Sequence, residues 1–450
     1  MVKIKVLGMA ALVMLLLPAT DLQAKKKVWN ATGHDAVPQN YSVGVPAFDA
    51  VNIDYREDGH SVLSVKVGPQ QLVAVADTPK PWGYYQFPEL NWGGDGEIVL
   101  RWANHEDVLN GKGEPMGLRV SRDKGKTWVV PDKAPFFLDR YSVVLPNGNF
   151  LNVRTQHAPE VKKIQGFPSV AFPRTPTRNV VLYRDSEIPA QYQNQKTVLA
   201  DVKNRKMVEY PGIIEETPRF LRQTISDCLP FNWWGDKRVL SDGSVMTVIY
   251  PHWYENEDGT VDLNGVGCYR TWDEGHHWKY VGRIPYAYDP VKDPNGPKRK
   301  NYGFTEPSVE VLPDGTFVCI LRTDGEFGRG PMYISYSSDE GKTWTRPKYF
   351  APSGVLPRTL QLPNGVLVLS SGRPGVQLRF SWDGKGEQWT DPFDLLPFGG
   401  DDPGASCGYT ELLAISEDTF LVVYSDFRTP APDGNLRKGI KVRKVTVKKK

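Results

Sequence analysis

Arginine side chains close four of the short apolar segments of this 450-residue chain. Arg101, Arg154, Arg322 and Arg373 each follow a run of apolar residues typical of a β-strand. A single arginine at a strand end is usually a structural or solvated residue, but several at equivalent places are not explained in that way. Because a guanidinium group binds a carboxylate or sulfate through two parallel hydrogen bonds, we expect these arginines to converge on an anionic ligand.

The segments that end in these arginines belong to a repeated hairpin pattern. Six copies contain an apolar segment, a short turn and a second apolar segment, at residues 91–102, 143–155, 239–250, 311–322, 361–373 and 414–426. The turn is Asp-Gly or Asn-Gly in every copy but the last, which has Glu417-Asp418. Because Asp-Gly and Asn-Gly between β-rich segments favour tight hairpin turns, the sequence predicts six β-hairpins.

A second repeat has the form Ser/Thr-x-Asp-x-Gly-x-x-Trp. It spans residues 121–128, 271–278 and 337–344, and a copy with one extra residue spans 381–389. The aspartate can accept hydrogen bonds from the turn's backbone, the glycine permits a positive φ, and the tryptophan can pack on a neighbouring sheet. We therefore expect these turns to be structural.

The two repeats together predict the architecture. In four places a Trp-ended turn follows a hairpin, which gives units of four strands. Four-stranded units repeated around an axis form a β-propeller, so the sequence predicts an all-β fold with six blades. In this arrangement both kinds of turn lie on one rim, and the arginine-bearing strand ends face a central pocket at the other rim.

The N-terminus has the features of a secretory signal peptide. Lys3 and Lys5 precede an apolar run that ends at Pro18, and cleavage can follow Ala24. The apolar run is too short for a membrane span. We predict a secreted or periplasmic protein with a signal peptide at 1–24, an extension at 25–80 that can supply a propeller-closing strand, a propeller at 81–445 and a basic tail at 446–450.

The composition excludes several classes of protein. The formal net charge is +3, and no basic block with interleaved aromatic residues indicates nucleic-acid binding. Cys228, Cys268, Cys319 and Cys407 lack metal-ligand spacing, so we expect no metal and no cofactor. A disulfide bond such as Cys228–Cys268 stays open as an alternative after export. We expect a monomer without a membrane span.

Four segments of the predicted propeller carry a resemblance to a known family. They are TEPSVEVLPDG with Glu306, FVCILRTDG with Arg322, GRPGVQLRFSWDG with Arg373, and GASCGYTELLAI with Tyr409. Together with the Trp-ended turns, which that family calls Asp boxes, they resemble the sialidase (neuraminidase) superfamily over about residues 80–430. The resemblance implies a six-bladed propeller with Tyr409 as nucleophile, Glu306 as its partner, and Arg322 and Arg373 as members of an arginine triad.

The first arginine of that triad has no counterpart here. The family places it in a Phe/Tyr-Arg-Ile-Pro segment, whereas the corresponding stretch is YYQFPEL and has Gln86 at that position. A glutamine side chain can donate a hydrogen bond but carries no charge, so we expect weaker binding of a sialic-acid carboxylate. Arg101, in the same predicted blade, is the residue that could compensate.

The resemblance also implies an acid/base aspartate in the loop at residues 103–115. Asp107 has the matching offset from the first Asp box, and Glu106 and His105 are the alternatives. The implied reaction is retaining hydrolysis of a terminal acidic sugar from a glycan. Glu306 takes the phenol proton, Asp107 protonates the leaving oxygen and then activates water, and the arginines hold the substrate anion.

Two other functions stay open. A polysaccharide lyase acting on uronate-containing glycans would combine a tyrosine with His105, His157 or His252. A carbohydrate-binding propeller would use the same pocket without catalysis. Hydrolysis releases a free sugar, elimination leaves a chain end that absorbs in the ultraviolet, and binding gives neither product, whereas the fold alone cannot choose among them.

Overall fold

The computed structural model describes residues 50–107, 115–154, 160–166, 181–215, 219–224, 233–298, 303–323, 329–397, 405–431 and 433–450. The helices within these ranges are single 3₁₀ turns at Val161–Lys163, Asp185–Glu187, Ala190–Tyr192 and Gly296–Lys298. None of the helices in this part of the chain is long and apolar enough to cross a membrane. The predicted all-β class is therefore confirmed. The predicted signal peptide lies outside the described residues.

The strands are numbered along the chain. The first half contains β1 (Val51–Glu57), β2 (His60–Val67), β3 (Gln71–Val75), β4 (Gln86–Trp92), β5 (Ile98–Ala103), β6 (Met116–Ser121), β7 (Val143–Val144), β8 (Phe150–Arg154), β9 (Val181–Arg184), β10 (Gln195–Asp201), β11 (Lys206–Glu215), β12 (Phe220–Thr224) and β13 (Trp233–Val239). The second half contains β14 (Val245–Tyr254), β15 (Gly265–Thr271), β16 (His277–Ile284), β17 (Phe304–Val311), β18 (Phe317–Thr323), β19 (Met332–Ser337), β20 (Lys348–Ala351), β21 (Val355–Gln361), β22 (Leu367–Gly372), β23 (Val376–Ser381), β24 (Phe393–Leu396), β25 (Thr410–Ala414), β26 (Thr419–Pro430) and β27 (Leu436–Lys449).

All six predicted hairpins are confirmed by the strand pairing. The antiparallel pairs are β4–β5, β7–β8, β13–β14, β17–β18, β21–β22 and β25–β26. Their turns hold the Asp-Gly, Asn-Gly or Glu-Asp dipeptides of the repeat. The turn glycines have φ near 80°, for example 85° at Gly315 and Gly365, which a side chain would oppose.

The chain forms two compact units. The first contains the residues up to Pro135, Leu312–Asp314 and Ser353–Lys450. Within it, β4, β5 and β6 form one sheet, and β21 to β24 form a second, in sequence order. Alternating apolar residues of these strands and of the third sheet supply the core, including the fully buried Val368, Phe380 and Val422.

The third sheet of this unit joins the two ends of the described chain. Its order is β1-β2-β27-β26-β25, and β3 also pairs with β27. Leu63, Val65 and Val67 of β2 are fully buried, and their strand pairs with the last residues of β27. The predicted basic tail at 446–450 is corrected here, because residues 446–449 are strand residues and the Val447 side chain is fully buried.

The second unit contains Phe136–Val311 and Gly315–Pro352. One sheet holds β17 to β20 in sequence order. A larger sheet combines β7-β8-β10-β11 with β13 to β16 through a parallel pairing of β11 and β16. A short sheet of β9 and β12 extends from the far end of β14, an addition that the sequence repeats did not predict.

The Trp-ended turns are held by their aspartate and hydroxyl side chains. In the turn at 337–344, Ser337 Oγ donates to Asp339 Oδ1 at 2.8 Å and accepts from the Gly341 amide at 2.9 Å. Thr343 donates to the same carboxylate from its amide at 2.8 Å and from its hydroxyl at 2.6 Å. The Thr343 hydroxyl bond is the largest of the effects that lower the pKa of Asp339 to about 2.

The turn at 121–128 repeats the same bonds with Asp123, and the turn at 271–278 repeats the frame around Asp273. Trp278 is fully buried, and the other three tryptophans are half-buried. Gly341 sits so close to the Cys268 sulfur that a Cβ there would lie 2.6 Å from it. Cys268 is a buried free thiol, and Cys228 of the alternative disulfide lies outside the described residues.

Candidate active site

Tyr409 lies in an aromatic cluster of the first unit. It directly precedes β25, and its side chain is buried with 2% of its surface exposed. Its ring centroid lies 5.0 Å from that of Phe87, with the planes inclined by 65°. The preceding Gly408 has a φ of 78°, and a Cβ there would lie 2.9 Å from side-chain carbons of Arg373 and Val355. Glycine at 408 is therefore needed for the approach of Tyr409 to Arg373.

Arg373 places a buried cation beside this tyrosine. It follows β22 directly and adopts a φ of 50°. Its Nε donates to the Cys407 carbonyl at 3.0 Å, which anchors the guanidinium to the chain just before Tyr409. The guanidinium carbon lies 5.9 Å from the Tyr409 ring centroid and 5.7 Å from the Trp82 ring centroid. Both distances are within the range of a cation–π contact.

Asp107 reaches the same cluster through Trp82. The indole Nε1 donates to Asp107 Oδ2 at 3.1 Å, and the carboxylate residue is buried. Gly83 makes this contact possible, because a Cβ there would lie 2.3 Å from the His105 carbonyl oxygen and 2.4 Å from the Asp107 amide nitrogen. Thus the glycine lets the Trp82 segment pack directly on the loop that carries Asp107.

Lys438 lies beside the Trp82 ring. It belongs to β27, is buried, and donates from Nζ to the Pro81 carbonyl at 2.7 Å. Its Nζ is 4.6 Å from the Phe427 ring centroid and 5.9 Å from that of Trp82. Burial lowers the pKa of this lysine to about 7, so its charge changes near neutral pH.

The remaining predicted residues of the first unit lie in different surroundings. Gln86 is fully buried, and neither its amide nitrogen nor its amide oxygen has a hydrogen-bond partner among the described residues. Arg101 forms an ion pair with Glu89 across the β4–β5 pair, where the two residues are direct neighbours. Arg101 therefore neutralises a buried carboxylate of its own hairpin.

In the second unit, Glu306 and Arg322 form a buried ion pair. Arg322 Nη1 lies 2.5 Å from Glu306 Oε2, and the two side chains are 0% and 2% exposed. They stand on the neighbouring strands β17 and β18. Arg154, at the end of β8, is by contrast partly exposed, and its Nη1 lies 3.3 Å from Glu209 Oε1.

Three of the hairpins begin with the same strained bulge. Phe87, Glu306 and Leu356 have φ values of 53°, 45° and 36°, and each precedes a proline. The strand register shifts at each of these points. Proline has no N–H to donate, so it suits a bulge where the ladder is interrupted. Left-handed backbone at a non-glycine residue is costly and concentrates at functional sites.

The structure therefore brings Asp107, Arg373 and Tyr409 into one cluster around Trp82, and Glu306 and Arg322 into a pair. The predicted contact between the Tyr409 hydroxyl and Glu306 joins residues of the two units and stays a prediction. Trp82, Phe87, Phe427 and Lys438 are site residues that the sequence reasoning missed. Phe427 and Lys438 stand in ordinary strand patterns, so only the tertiary contacts identify them.

The histidine alternatives are placed differently. His252 is buried, its Nε2 lies 3.2 Å from the Tyr269 hydroxyl, and desolvation lowers its pKa to about 3. His105 Nδ1 lies 2.6 Å from the Glu106 carbonyl oxygen, and His157 lies outside the described residues. In the part of the chain that the structure describes, no group of three His, Cys, Asp or Glu residues could hold a metal ion.

Comparison with solved structures supports the fold. A protein of unknown function from Dyadobacter fermentans DSM 18053 is 18% identical, with a TM-score of 0.56 over 85% of this chain and 99% of that chain. The Hadza microbial sialidase Hz136 is 16% identical, with a TM-score of 0.46 over 81% of this chain and 65% of that chain. The GH93 alpha-L-arabinofuranosidase of Fusarium graminearum is 14% identical, with a TM-score of 0.46 over 83% of this chain and 97% of that chain. No protein-family model and no curated protein matches the sequence. The first structure shares the fold, whereas the two TM-scores below 0.5 carry no argument, so an assignment of function must rest on the site residues.

Proposed function

We propose that the protein is an exported glycoside hydrolase that removes a terminal acidic sugar, such as a sialic acid, from a glycan with retention of configuration. The observation that carries this proposal is the cluster around Trp82. Within it a buried carboxylate, a buried guanidinium and a tyrosine share one set of aromatic contacts. These three groups are an acid, an anion-binding group and a nucleophile, which is the set that retaining hydrolysis of an acidic glycoside needs.

In the first half of the proposed reaction, the Tyr409 oxygen attacks the anomeric carbon while the glycosidic C–O bond breaks. Glu306 accepts the phenolic proton, and Asp107 gives its proton to the leaving oxygen, so the aglycone departs as a neutral alcohol. A neutral phenol can approach an anomeric carbon beside a substrate carboxylate, whereas an anionic nucleophile would be repelled. The Arg322 guanidinium compensates the charge of the buried Glu306 carboxylate.

In the second half, water attacks the anomeric carbon of the tyrosyl-sugar intermediate. Asp107 accepts a proton from that water, the bond from the sugar to Tyr409 breaks, and Glu306 returns a proton to the tyrosine oxygen. Both carboxyl groups are then restored to their starting states, and the sugar leaves with its original anomeric configuration.

The anionic character of the substrate is inferred from the buried arginines. Arg373 is the cation nearest to Tyr409 among the described contacts, and its guanidinium can bind a carboxylate through two hydrogen bonds. Gln86 replaces a charged residue of the sialidase superfamily with a neutral amide, so the site should hold a sialic-acid carboxylate less tightly than a complete triad would. A related keto-acid or uronic sugar is the alternative substrate within the same reaction.

The scaffold in this proposal is a six-bladed propeller. The six hairpins and their outer strands would be the blades, and the four Trp-ended turns would be Asp boxes. The pairing of β2 with β27 supports closure of the last blade by an N-terminal strand. Export through the signal peptide at 1–24 predicts a mature protein that begins near Lys25, and N-terminal sequencing of protein from its native host would test this.

The deciding experiment is incubation with sialylated and uronate-containing glycans, followed by mass analysis of the products. A released acidic monosaccharide supports the proposal. An unsaturated chain end with ultraviolet absorbance would replace it by a lyase reaction. Binding without any product would leave a carbohydrate-binding protein.

A further inference from the structure

Trp82 stands at the centre of the contacts that surround the proposed acid/base. Its N–H donates to Asp107, and its ring centroid lies 5.7 Å from the Arg373 guanidinium carbon and 5.9 Å from Lys438 Nζ. The ring also makes edge contacts with Phe87 and Phe427, at centroid distances of 6.1 Å and 6.3 Å. A tryptophan held on this many sides has one orientation, and its N–H direction is fixed with it.

We infer that Trp82 is a positioning residue that orients the Asp107 carboxyl through its indole N–H, and that Lys438 acts through Trp82 by anchoring the segment that carries it. This inference rests on the proposed function, in which Asp107 is the acid/base. It adds two residues that neither the sequence resemblance nor the arginine pattern indicates.

The chemistry of the indole explains the role of Trp82. An indole N–H can only donate, so the Oδ2 atom that it contacts is an acceptor. This contact favours the transferable proton on Oδ1 and fixes the plane of the carboxyl group. A general acid must deliver its proton along a defined direction, so a fixed carboxyl plane contributes directly to the rate.

The burial of Lys438 explains its role. An ammonium group is costly to bury, yet Lys438 is 3% exposed and its Nζ has a carbonyl partner in Pro81, directly before Trp82. The adjacent Gly83 is packed against the Asp107 loop. The short segment in question contains Pro81, Trp82 and Gly83. Lys438 anchors it at Pro81, and Gly83 at its other end contacts the loop that carries Asp107.

The first test compares Trp82→Phe with Trp102→Phe. Phenylalanine keeps an aromatic ring and removes only the N–H donor. Trp102 is the control, because it lies in the same unit and its Nε1 has no hydrogen-bond partner among the described residues; it is buried, whereas Trp82 is half-buried. Unfolding of both variants is measured, so that a general loss of stability is separated from a change at Asp107.

The direct readout is the pKa of Asp107. It is measured by an NMR titration of protein labelled with ¹³C-carboxyl aspartate, and the Asp107→Asn variant identifies the Asp107 signal. Trp82→Phe should raise this pKa by about one unit, because it removes a hydrogen bond to the charged form. Trp102→Phe should not change it. Arg373 and Lys438, which lie beside the Trp82 ring, and His105 and Glu106, which directly precede Asp107 in the chain, are retained in both variants, so the change in pKa reports the loss of the N–H.

The kinetic readout uses glycosides with good and poor leaving groups. Trp82→Phe should lower kcat for glycosides with alkyl leaving groups much more than kcat for glycosides with activated aryl leaving groups, with a difference of at least about tenfold. The reason is that only an alkyl leaving group needs a proton from the acid. The basic limb of the pH profile should move to higher pH, with KM unchanged. Lys438→Met should cause the same leaving-group bias. In the double variant the losses should not multiply, since Lys438 acts through Trp82.

An unchanged Asp107 pKa in Trp82→Phe would overturn the inference, even if the enzyme hydrolyses glycosides. Multiplying losses in the double variant would overturn the part that concerns Lys438. If the wild-type protein hydrolyses no glycoside, the proposed function fails, but the NMR titration still decides whether Trp82 controls the Asp107 carboxyl.

Discussion

The Tyr409 hydroxyl is the group on which the proposed reaction depends. Tyr409→Phe removes this one oxygen and leaves the ring in contact with Phe87 and Arg373. We expect a loss of kcat of at least about a thousandfold, because removal of a nucleophile removes the covalent route. The free energy of unfolding should change little. A fluorinated glycoside should leave a covalent mass on the wild-type peptide that contains Tyr409.

Tyr424→Phe is the matched control for this prediction. Tyr424 is also a buried tyrosine of the first unit, but its hydroxyl lies 3.1 Å from Gln70 and 3.3 Å from Arg443, outside the Trp82 cluster. This variant should lose stability and keep its turnover. Equal activity of Tyr409→Phe and the wild type would contradict the nucleophile assignment.

Replacing Gln86 should have opposite effects on stability and on substrate binding. Its buried amide has no partner among the described residues, so Gln86→Leu should raise the free energy of unfolding by about 1 kcal/mol. If the amide binds substrate, the same change should raise KM several-fold. Gln195→Leu is the control, because Gln195 is equally buried, has no hydrogen-bond partner among the described residues and belongs to the second unit. Urea unfolding and steady-state kinetics measure both effects; an unchanged KM would remove Gln86 from the site.

At the scale of elements, the Trp-ended turns predict sensitivity to acid. The pKa of Asp339 is lowered from 3.8 to about 2 by its bonds in the turn. A carboxyl whose pKa is lower in the folded state stabilises the fold above pH 4, and the contribution is lost as the pH falls towards 2. Asp339→Asn cannot titrate, so the stability difference between wild type and variant should narrow over this range. Urea unfolding at pH 5, 4 and 3 measures the difference, and a constant gap would contradict the prediction.

Local chemistry explains which elements the sequence predicts. A hairpin turn is determined by a dipeptide such as Asp314-Gly315, whose backbone preference acts before any tertiary contact forms. The β9–β12 sheet lacks such a signal, because Arg222 is buried against Asp185 in a contact between distant segments. The end of β27 is missed for a related reason, since the three consecutive lysines Lys448 to Lys450 resemble a solvated tail, whereas the burial of Val447 depends on tertiary packing.

The candidate site shows the same limit. Glu306, Arg322, Arg373 and Tyr409 stand in segments whose family resemblance the sequence displays. The Arg101–Glu89 pair depends on strand register, and the Trp82 contacts depend on the packing of three separate segments. Neither the Arg101–Glu89 ion pair nor the Trp82 contacts can be predicted from composition and residue spacing, because these contacts produce no recognisable pattern in the local sequence.

At the scale of the whole molecule, the last residues should be essential for stability. Deletion of residues 446–450 removes the buried Val447 and its pairing with β2. We expect the free energy of unfolding to fall by about 2–4 kcal/mol, since burial of one valine alone contributes about 1.5–3 kcal/mol. Deletion of residues 449–450 only, which are exposed, is the control and should have a small effect. If both truncated chains are equally stable, residues 446–450 do not stabilise the fold and the prediction of a basic tail would stand.

The pairing of β2 with β27 also sets the order of events during synthesis. β2 leaves the ribosome early, whereas residues 445–449, which pair with it, lie far later in the sequence. The second unit, by contrast, comes almost entirely from one continuous stretch between these strands, so it can fold while translation continues. β2 can therefore pair with β27 only after the whole intervening stretch has been synthesised. A chain that stops before residue 445 lacks the residues that pair with β2, so the backbone edge of that strand stays without its native partner and is open to pairing with another chain.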